Sequence, residues 1–147
     1  MGLRLVRDYM LLGGRIFHGL FGGIAYRAAR FGPLQVTPTY SPSITPDLAD
    51  GNDQVITATD GVAFTINAPL FGGVAMSATN PPIATMTWTL TIRNTSGGAA
   101  GALTFNAVFK IGAAWTQPAT GFSRSIQFRW NGTNHVEVGR TAADVAN

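Results

Sequence analysis

The sequence predicts an all-β protein, an antiparallel β-sandwich preceded by an extended or partly helical N-terminal arm. Three observations carry this prediction. Threonine and apolar residues alternate along Thr85–Arg93, two strand-like runs flank Asn131-Gly132, and glycines and prolines interrupt short β-prone runs throughout the chain. Alternation with period two places one strand face in a core and the other in solvent, as in antiparallel sheets.

The N-terminal 32 residues are basic and apolar. They carry a formal charge of +4, whereas the other 115 residues carry −1. Leu5, Tyr9 and Leu12 fall on one face at helical spacing, and Gly13-Gly14 should stop a helix there. Such a short helix is marginal in water, so we expect the arm to order where a partner covers it. The charge-free run Ile16–Tyr26 is too short to cross a bilayer, and Arg15 interrupts the apolar region that a signal peptide requires.

Residues 33–53 are predicted to form a proline-rich linker. Pro33, Pro38, Pro42 and Pro46 recur every four or five residues, so the segment should be extended and make no strand ladder of its own. It ends in the acidic turn Asp47–Asp53. The glutamate that closes an EF-hand loop is missing, so we interpret this turn as solvated rather than as a calcium site.

Residues 54–147 are predicted to hold the β-module. Its strand signals are Val55–Thr57 and Val62–Asn67 around Asp60-Gly61, then Thr85–Arg93, Ala102–Phe105, Val108–Ile111 and a final hairpin within Ser123–Arg140. No internal repeat of solenoid or propeller period is visible.

The final hairpin carries a prediction about register. Shifting a strand by one residue moves every side chain to the other face. A loop of three residues, Asn131–Thr133, or of five would align the apolar faces of the two strands. The three-residue loop would place Val136 opposite Phe128 and Val138 opposite Ile126. That register would leave His135 and Glu137 on the outer face with Gln127 and Arg129.

No catalytic, cofactor or metal site is predicted. The chain has no cysteine, its two histidines (His18 and His135) are far apart, and its acids are scattered. Trp88 and Trp130 lie on apolar strand faces, so core packing is their expected role. Trp115 lies in a loop-like region and is the one tryptophan considered as a candidate exposed contact. Asn94 and Asn131 match the glycosylation pattern, which matters only in a secretory context.

Three kinds of partner fit the composition of the arm: nucleic acid, another protein and a membrane surface. Its arginines could neutralise phosphates, and its aromatic residues could stack on bases. Its apolar residues outnumber its charges and need burial, so a protein anchor is favoured and no nucleic acid is expected. Contact with a membrane surface is the third alternative. It is less favoured because the glycines destabilise the amphipathic helix that such contact would use.

The C-terminal half resembles β-rich virion proteins of tailed bacteriophages. The resemblance is carried by Met86–Thr95, by Ala102–Phe105 and above all by Gly121–Val138, which ends in Trp130-Asn131-Gly132-Thr133-Asn134-His135-Val136-Glu137-Val138. This ending is similar to the closing hairpin of phage fibre and head-decoration modules. The arm and the linker carry no such resemblance.

The resemblance implies a jelly-roll-like sandwich with a non-enzymatic role in a virion, as a capsid decoration or cement protein or a head fibre. It implies that the partner is the major capsid protein or another virion subunit, that the protein is a homo-oligomer with a trimer favoured, and that no cofactor is needed. The expected assembly interface in the arm comprises Arg4, Leu5, Arg7, Tyr9, Arg15, Phe17, Phe21 and Ile24. The alternatives are a tail-fibre module that recognises host glycans and, third, a membrane-associated virion protein.

Overall fold

The computed structural model describes residues 34–79 and 85–147, and every regular element within these ranges is a β-strand. The all-β prediction is therefore confirmed for this part of the chain. The eight arm residues of the expected assembly interface lie outside the described residues, as does the loop dipeptide Pro81-Pro82.

The strands run from β1 to β12 in chain order. Their bounds are β1 Gln35–Val36, β2 Ser43–Ile44, β3 Asp53–Ala58, β4 Phe64–Ile66, β5 Leu70–Phe71, β6 Val74–Ala75, β7 Thr87–Asn94, β8 Leu103–Phe105, β9 Phe109–Lys110, β10 Phe122–Trp130, β11 His135–Arg140 and β12 Val145–Ala146.

The strands form one large and two small sheets. The large sheet has seven strands in the order β1-β3-β7-β10-β11-β9, and β12 pairs with the free end of β10 beside β11. A three-stranded sheet has the order β2-β4-β8, and β5 pairs with β6 in a hairpin.

The chain alternates between the two larger sheets. Strands β1, β3 and β7 lie in the large sheet and pair in parallel, while β2, β4 and β8 lie in the three-stranded sheet and also pair in parallel. Parallel neighbours need a crossover connection, and here each crossover contains a strand of the other sheet. The prediction of an antiparallel module is wrong for these pairs and for β9 with β11. It holds for β7, β10, β11 and β12.

The segment predicted as an unpaired linker contributes strands to both sheets. β1 and β2 are edge strands, and Ile44, Pro46 and Leu48 are buried. The prediction that this segment makes no ladder is wrong, because a proline is tolerated on an edge strand whose outer side has no neighbour. Pro42 shows how this works, since its carbonyl accepts a hydrogen bond from the Thr65 N–H at 3.0 Å although it has no N–H of its own.

One hydrophobic cluster contains side chains from both larger sheets. The alternation predicted in β7 is confirmed, because Trp88, Leu90 and Ile92 are buried whereas the threonines between them are half-buried. Ile44, Phe64 and Ile66 of the three-stranded sheet belong to the same cluster. Burying such side chains is the main favourable term in folding.

Gly101 allows a close backbone approach where the chain enters β8. A Cβ atom at this position would lie 1.9 Å from the Val62 carbonyl oxygen, so any larger residue must displace backbone. The neighbouring Phe64 N–H donates to the Ala102 carbonyl at 3.0 Å, which begins the pairing of β4 with β8.

The final hairpin has a register different from the predicted one. Residues 131–134 connect the strands, and the Asn131 N–H donates to the Asn134 carbonyl at 3.1 Å. His135 then lies opposite Trp130, and Glu137 lies opposite Phe128, so both face the core side. Val138 is 47% exposed instead of buried. The prediction failed because it assumed that the two valines would be buried. His135 is instead accommodated by a hydrogen bond from Trp88, and Glu137 by an ion pair with Arg140.

Candidate functional site

The outer side of the large sheet presents a polar face. Strands β7 and β10 supply it with two antiparallel rows that pair Thr87 with Arg129, Thr89 with Gln127, Thr91 with Ser125 and Arg93 with Ser123. We refer to these eight residues as the polar face. The alternation within each strand predicts which residues point outward, whereas the pairing of β7 with β10 that joins them into one face comes from the structure.

Two arginines mark the ends of the polar face. Arg93 and Arg129 are both exposed, and within the described ranges neither has a hydrogen-bond or ion-pair partner for its guanidinium. Thr87, which lies opposite Arg129, is six residues from Arg93 along β7, so the backbone positions of the two arginines are separated by about 20 Å along the strand direction at roughly 3.3 Å per residue. Between them lie hydroxyl and amide groups.

The polar face continues into a shallow groove of about 300 Å³ beside the bulge between Gln127 and Phe128. Thr89, Ser125, Gln127, Gly139, Arg140 and Thr141 line this groove. Ser125 is fixed there, because its hydroxyl bonds to that of Thr91 at 2.8 Å and its N–H donates to the Thr141 hydroxyl at 3.1 Å. The groove can therefore bind hydroxyl or amide groups through hydrogen bonds.

The guanidinium of Arg140 holds the loop that precedes Trp115. It donates to both carboxylate oxygens of Glu137, at 2.5 and 2.6 Å, and to the carbonyls of Ala113 and Ala114. Glu137 also accepts the Gly112 N–H at 2.8 Å. The hydrogen bond from Arg140 is the main reason that the pKa of Glu137 lies below its usual value.

A second ion pair fastens the C-terminal strand to the sheet. Arg124 donates to Asp144, whose other oxygen accepts the Ala119 N–H at 3.0 Å. The Ala119 N–H and then Arg124 hold the pKa of the Asp144 carboxyl below its usual value. Both pairs are structural ties within the module.

The carboxylate of Asp47 joins the acidic turn to the β5–β6 hairpin. It accepts the N–H groups of Ala49, Gly72 and Gly73 at 2.9, 2.8 and 2.6 Å. Burial acts to raise the pKa of Asp47, and the three backbone hydrogen bonds outweigh burial and lower it. Within residues 34–79 and 85–147, no group of three or more His, Cys, Asp and Glu residues could hold a metal ion.

The three tryptophans of the chain all pack on the core. Trp88 and Trp130 are 1% and 3% exposed, as predicted. Trp115, the candidate exposed contact, is half-buried: its ring packs edge-on against Phe105 with centroids 6.1 Å apart, and its N–H donates to Gln117 at 3.0 Å. Packing beside the core buries part of this large apolar ring and leaves the rest accessible.

His135 lies in an aromatic cluster that the sequence analysis did not identify. Its ring centroid is 4.7 Å from that of Trp130 and 5.4 Å from that of Phe109, and its Nδ1 accepts a hydrogen bond from the Trp88 indole at 3.1 Å. The side chain is 1% exposed, and this burial lowers its pKa to about 4. The position of His135 opposite Trp130, once the correct register is known, is the signal that would have identified the cluster.

The two candidate glycosylation sites differ in accessibility. Asn94 is buried, and its side chain donates to the Gly98 and Pro118 carbonyls at 3.0 Å each. Asn131 is exposed in the final turn.

Comparisons with protein-family models, with curated proteins and with solved structures gave no match. Among the described residues, no helix is long and apolar enough to span a membrane.

Proposed function

We propose that this chain is a non-enzymatic structural protein of a virion, a capsid decoration or cement protein or a head fibre. In this proposal the N-terminal arm attaches the β-module to the shell, and the partner is the major capsid protein or another virion subunit. The protein acts in symmetric copies, with a trimer favoured. The proposal starts from the resemblance of Met86–Thr95 and Gly121–Val138 to phage virion modules.

The observation that carries the proposal is the position of the tryptophans. A glycan-recognition module uses exposed aromatic rings as stacking platforms, so Trp115 was the residue whose exposure would favour that function. Its ring instead packs against Phe105, and its N–H is bonded to Gln117. The outer surface between Arg93 and Arg129 consists of half-buried threonine and serine residues and an exposed glutamine, which suits a decoration protein.

Two layers of sheet would provide a suitable scaffold for this role. The large sheet and the three-stranded sheet contribute to one hydrophobic cluster, and we propose that they face each other as a β-sandwich. A jelly-roll connectivity is less well supported, since jelly rolls are built from antiparallel strands and β1-β3-β7 and β2-β4-β8 are parallel.

The arm supplies the attachment in this proposal. Covering about 400 Å² of its apolar surface would contribute on the order of 10 kcal/mol before the costs of ordering and association are subtracted. A single copy would then bind weakly, and several copies on one particle would gain from multivalency.

The proposal is tested with particles assembled without this protein. We expect the full chain to co-sediment with such particles, and we expect a variant lacking residues 1–32 to keep its β circular dichroism spectrum and lose co-sedimentation. A matched control in the full chain reverses charge at Arg93 and Arg129, which leaves the arm unchanged. Full binding by the arm-deleted variant would refute anchoring by the arm.

The same preparation distinguishes the alternatives. Binding of the full chain to host-surface glycans in place of particles would favour the tail-fibre function, and the groove beside Gln127 is where we would then place the glycan. Co-sedimentation of the arm peptide with liposomes would favour the membrane-associated function.

A further inference from the structure

Strand β9 is a short edge strand of the large sheet. It has two residues and, among the described strands, pairs with β11 alone, where Phe109 lies opposite His135 and Lys110 lies opposite Val136. The flanking backbone is held by three further hydrogen bonds: the His135 N–H donates to the Val108 carbonyl at 2.9 Å, the Phe109 N–H to the Asn106 carbonyl at 3.0 Å, and the Asn106 N–H to the Ile66 carbonyl at 2.9 Å. Elements with few neighbours open most readily.

The side chains of Phe109 and His135 hold this edge against the core. The Phe109 ring is 6% exposed and contacts Trp88, Phe128 and His135 at centroid distances of 6.1, 4.9 and 5.4 Å. The imidazole lies between Phe109 and Trp130, and its Nδ1 accepts the Trp88 N–H. An Nδ1 acceptor places the single proton of the neutral ring on Nε2.

A second proton would conflict with this arrangement. It would have to bind Nδ1, so two N–H donors would face each other where Trp88 now donates at 3.1 Å. The indole N–H of the neighbouring Trp130 is already buried, and it has no hydrogen-bond partner among the described residues. The cluster would then hold a cation and further unsatisfied donors in an apolar environment, which is costly.

Within the part of the chain that the structure describes, no side chain packed on the imidazole can neutralise that cation. Trp88 from β7, Trp130 from β10 and Phe109 from β9 contact the ring and are uncharged. The segment 68–76 also lines a small pocket beside His135, and its residues there are apolar as well. The charged residues closest in sequence to His135 and to its neighbours Phe109 and Trp130 are Glu137, Lys110 and Arg129. Glu137 is paired with Arg140, the Lys110 amine donates to the Ala107 carbonyl, and Arg129 lies on the polar face.

We propose that His135 is an acid-sensitive latch: uptake of one proton by its imidazole releases β9 and the adjoining residues 106–111 from the large sheet and hydrates the aromatic cluster. Strand β10 stays in place because it is hydrogen-bonded to β7 on one side and to β11 and β12 on the other. This inference does not depend on the proposed function.

The size of the effect follows from proton linkage. Burial holds the pKa of His135 at about 4 in the closed form, against 6.5 for a free imidazole. Between these values the opening equilibrium takes up one proton, so its constant rises about tenfold for each unit by which pH falls. From pH 7 to pH 4 the total increase is about 120-fold.

Hydrogen exchange of the full chain tests the latch. Protection factors are measured for residues 106–111 and for β7 at several pH values from 7 to 4.5. Using protection factors removes the intrinsic pH dependence of amide exchange. We expect the protection of 106–111 to fall about tenfold per pH unit below pH 6.5 and to remain below that of β7 at every pH, because β7 exchanges only when the whole module unfolds. His135→Gln keeps a side-chain acceptor for Trp88 and does not titrate, so its protection should not depend on pH in this range. His18→Gln is the matched control and should behave as the unmodified protein.

Nitrogen-15 NMR of the imidazole rings makes the test independent of whether His135→Gln folds. In the unmodified protein the His135 ring should titrate near pH 4, where the pH dependence of protection at 106–111 ends. Titration of His135 near 6.5 without loss of protection would overturn the proposal. Protection of 106–111 equal to that of β7 at every pH would also overturn it, since that result would indicate that both exchange only through global unfolding.

Discussion

The β-module builds one core from two regions with different kinds of strand pairing. In the parallel region, which comprises β1 to β4, β7 and β8, the pairing partners are distant in sequence, as with Gln54 beside Leu90. In the antiparallel region, which comprises β10, β11 and β12, neighbours are close in sequence, as with Trp130 beside His135. Strand β7 belongs to both regions, because it pairs with β3 on one side and with β10 on the other.

The difference shows which pairings a local pattern can predict. A hairpin is marked by its own turn residues, and Asn131-Gly132 marks the antiparallel region correctly. A parallel pair has no such mark, because its partners meet through a long crossover and carry a larger loop-closure cost. We therefore expect substitutions in the strand shared by both regions to have the largest effects.

Trp88→Ala should give the largest loss of stability. The Trp88 side chain is 1% exposed, contacts Phe109, Phe128 and His135, and lies on the shared strand. Removing a large buried aromatic side chain costs about 3–5 kcal/mol. Urea unfolding measures the change, and Thr89→Ala on the polar face of the same strand should stay within about 0.5 kcal/mol. Similar losses for the two variants would contradict the assignment of the two faces.

Lowering the pH should destabilise the antiparallel region through His135. Its pKa is about 4 when folded and 6.5 when free, so the unfolded state binds more protons as pH falls from 6.5 to 4. The folded state loses up to about 3 kcal/mol over this window. Urea unfolding at several pH values checks this, with His135→Gln as the variant that should show a weaker dependence. A stability that does not change between pH 7 and pH 5 would contradict the buried neutral imidazole.

Gly101→Ala should destabilise the parallel region. Its Cβ would meet the Val62 carbonyl where β4 begins to pair with β8, and the neighbouring backbone must move. The expected cost is about 1–3 kcal/mol, as for other overpacked sites. Gly98→Ala is the control, because nothing lies within 4 Å of its Cβ position. Equal thermal unfolding midpoints for the two variants would show that Gly101 does not lie close to the backbone of Val62.

Glu137→Gln should have the smallest effect. The ion pair with Arg140 is partly exposed, and pairs of that kind contribute less than about 1 kcal/mol. The substitution weakens the tie to the loop at 112–114, so the main consequence should be faster hydrogen exchange of the Gly112 amide, whose N–H donates to Glu137. Unchanged exchange at Gly112 with a normal unfolding curve would show that the loop is held by its other contacts.

The candidate site also has features that local sequence patterns predict and features that they do not predict. The outward residues of the polar face could be predicted from the alternation within β7 and β10, but not that these two strands lie beside each other. The aromatic cluster of His135 could not, because it depends on which of several loop lengths closes the hairpin. A one-residue change in that length exchanges His135 and Glu137 for the two valines.

The sequence by itself determined that the described part of the chain is all-β, which side of β7 is buried and where the final hairpin turns, because alternation and turn chemistry act over a few residues. Tertiary structure decided that the proline-rich segment forms the edges of two sheets, that the chain alternates between those sheets, and that a neutral histidine is buried in place of a valine. These features depend on partners brought together from distant parts of the chain: a sheet for the prolines to border, and an indole N–H and aromatic rings to surround the imidazole.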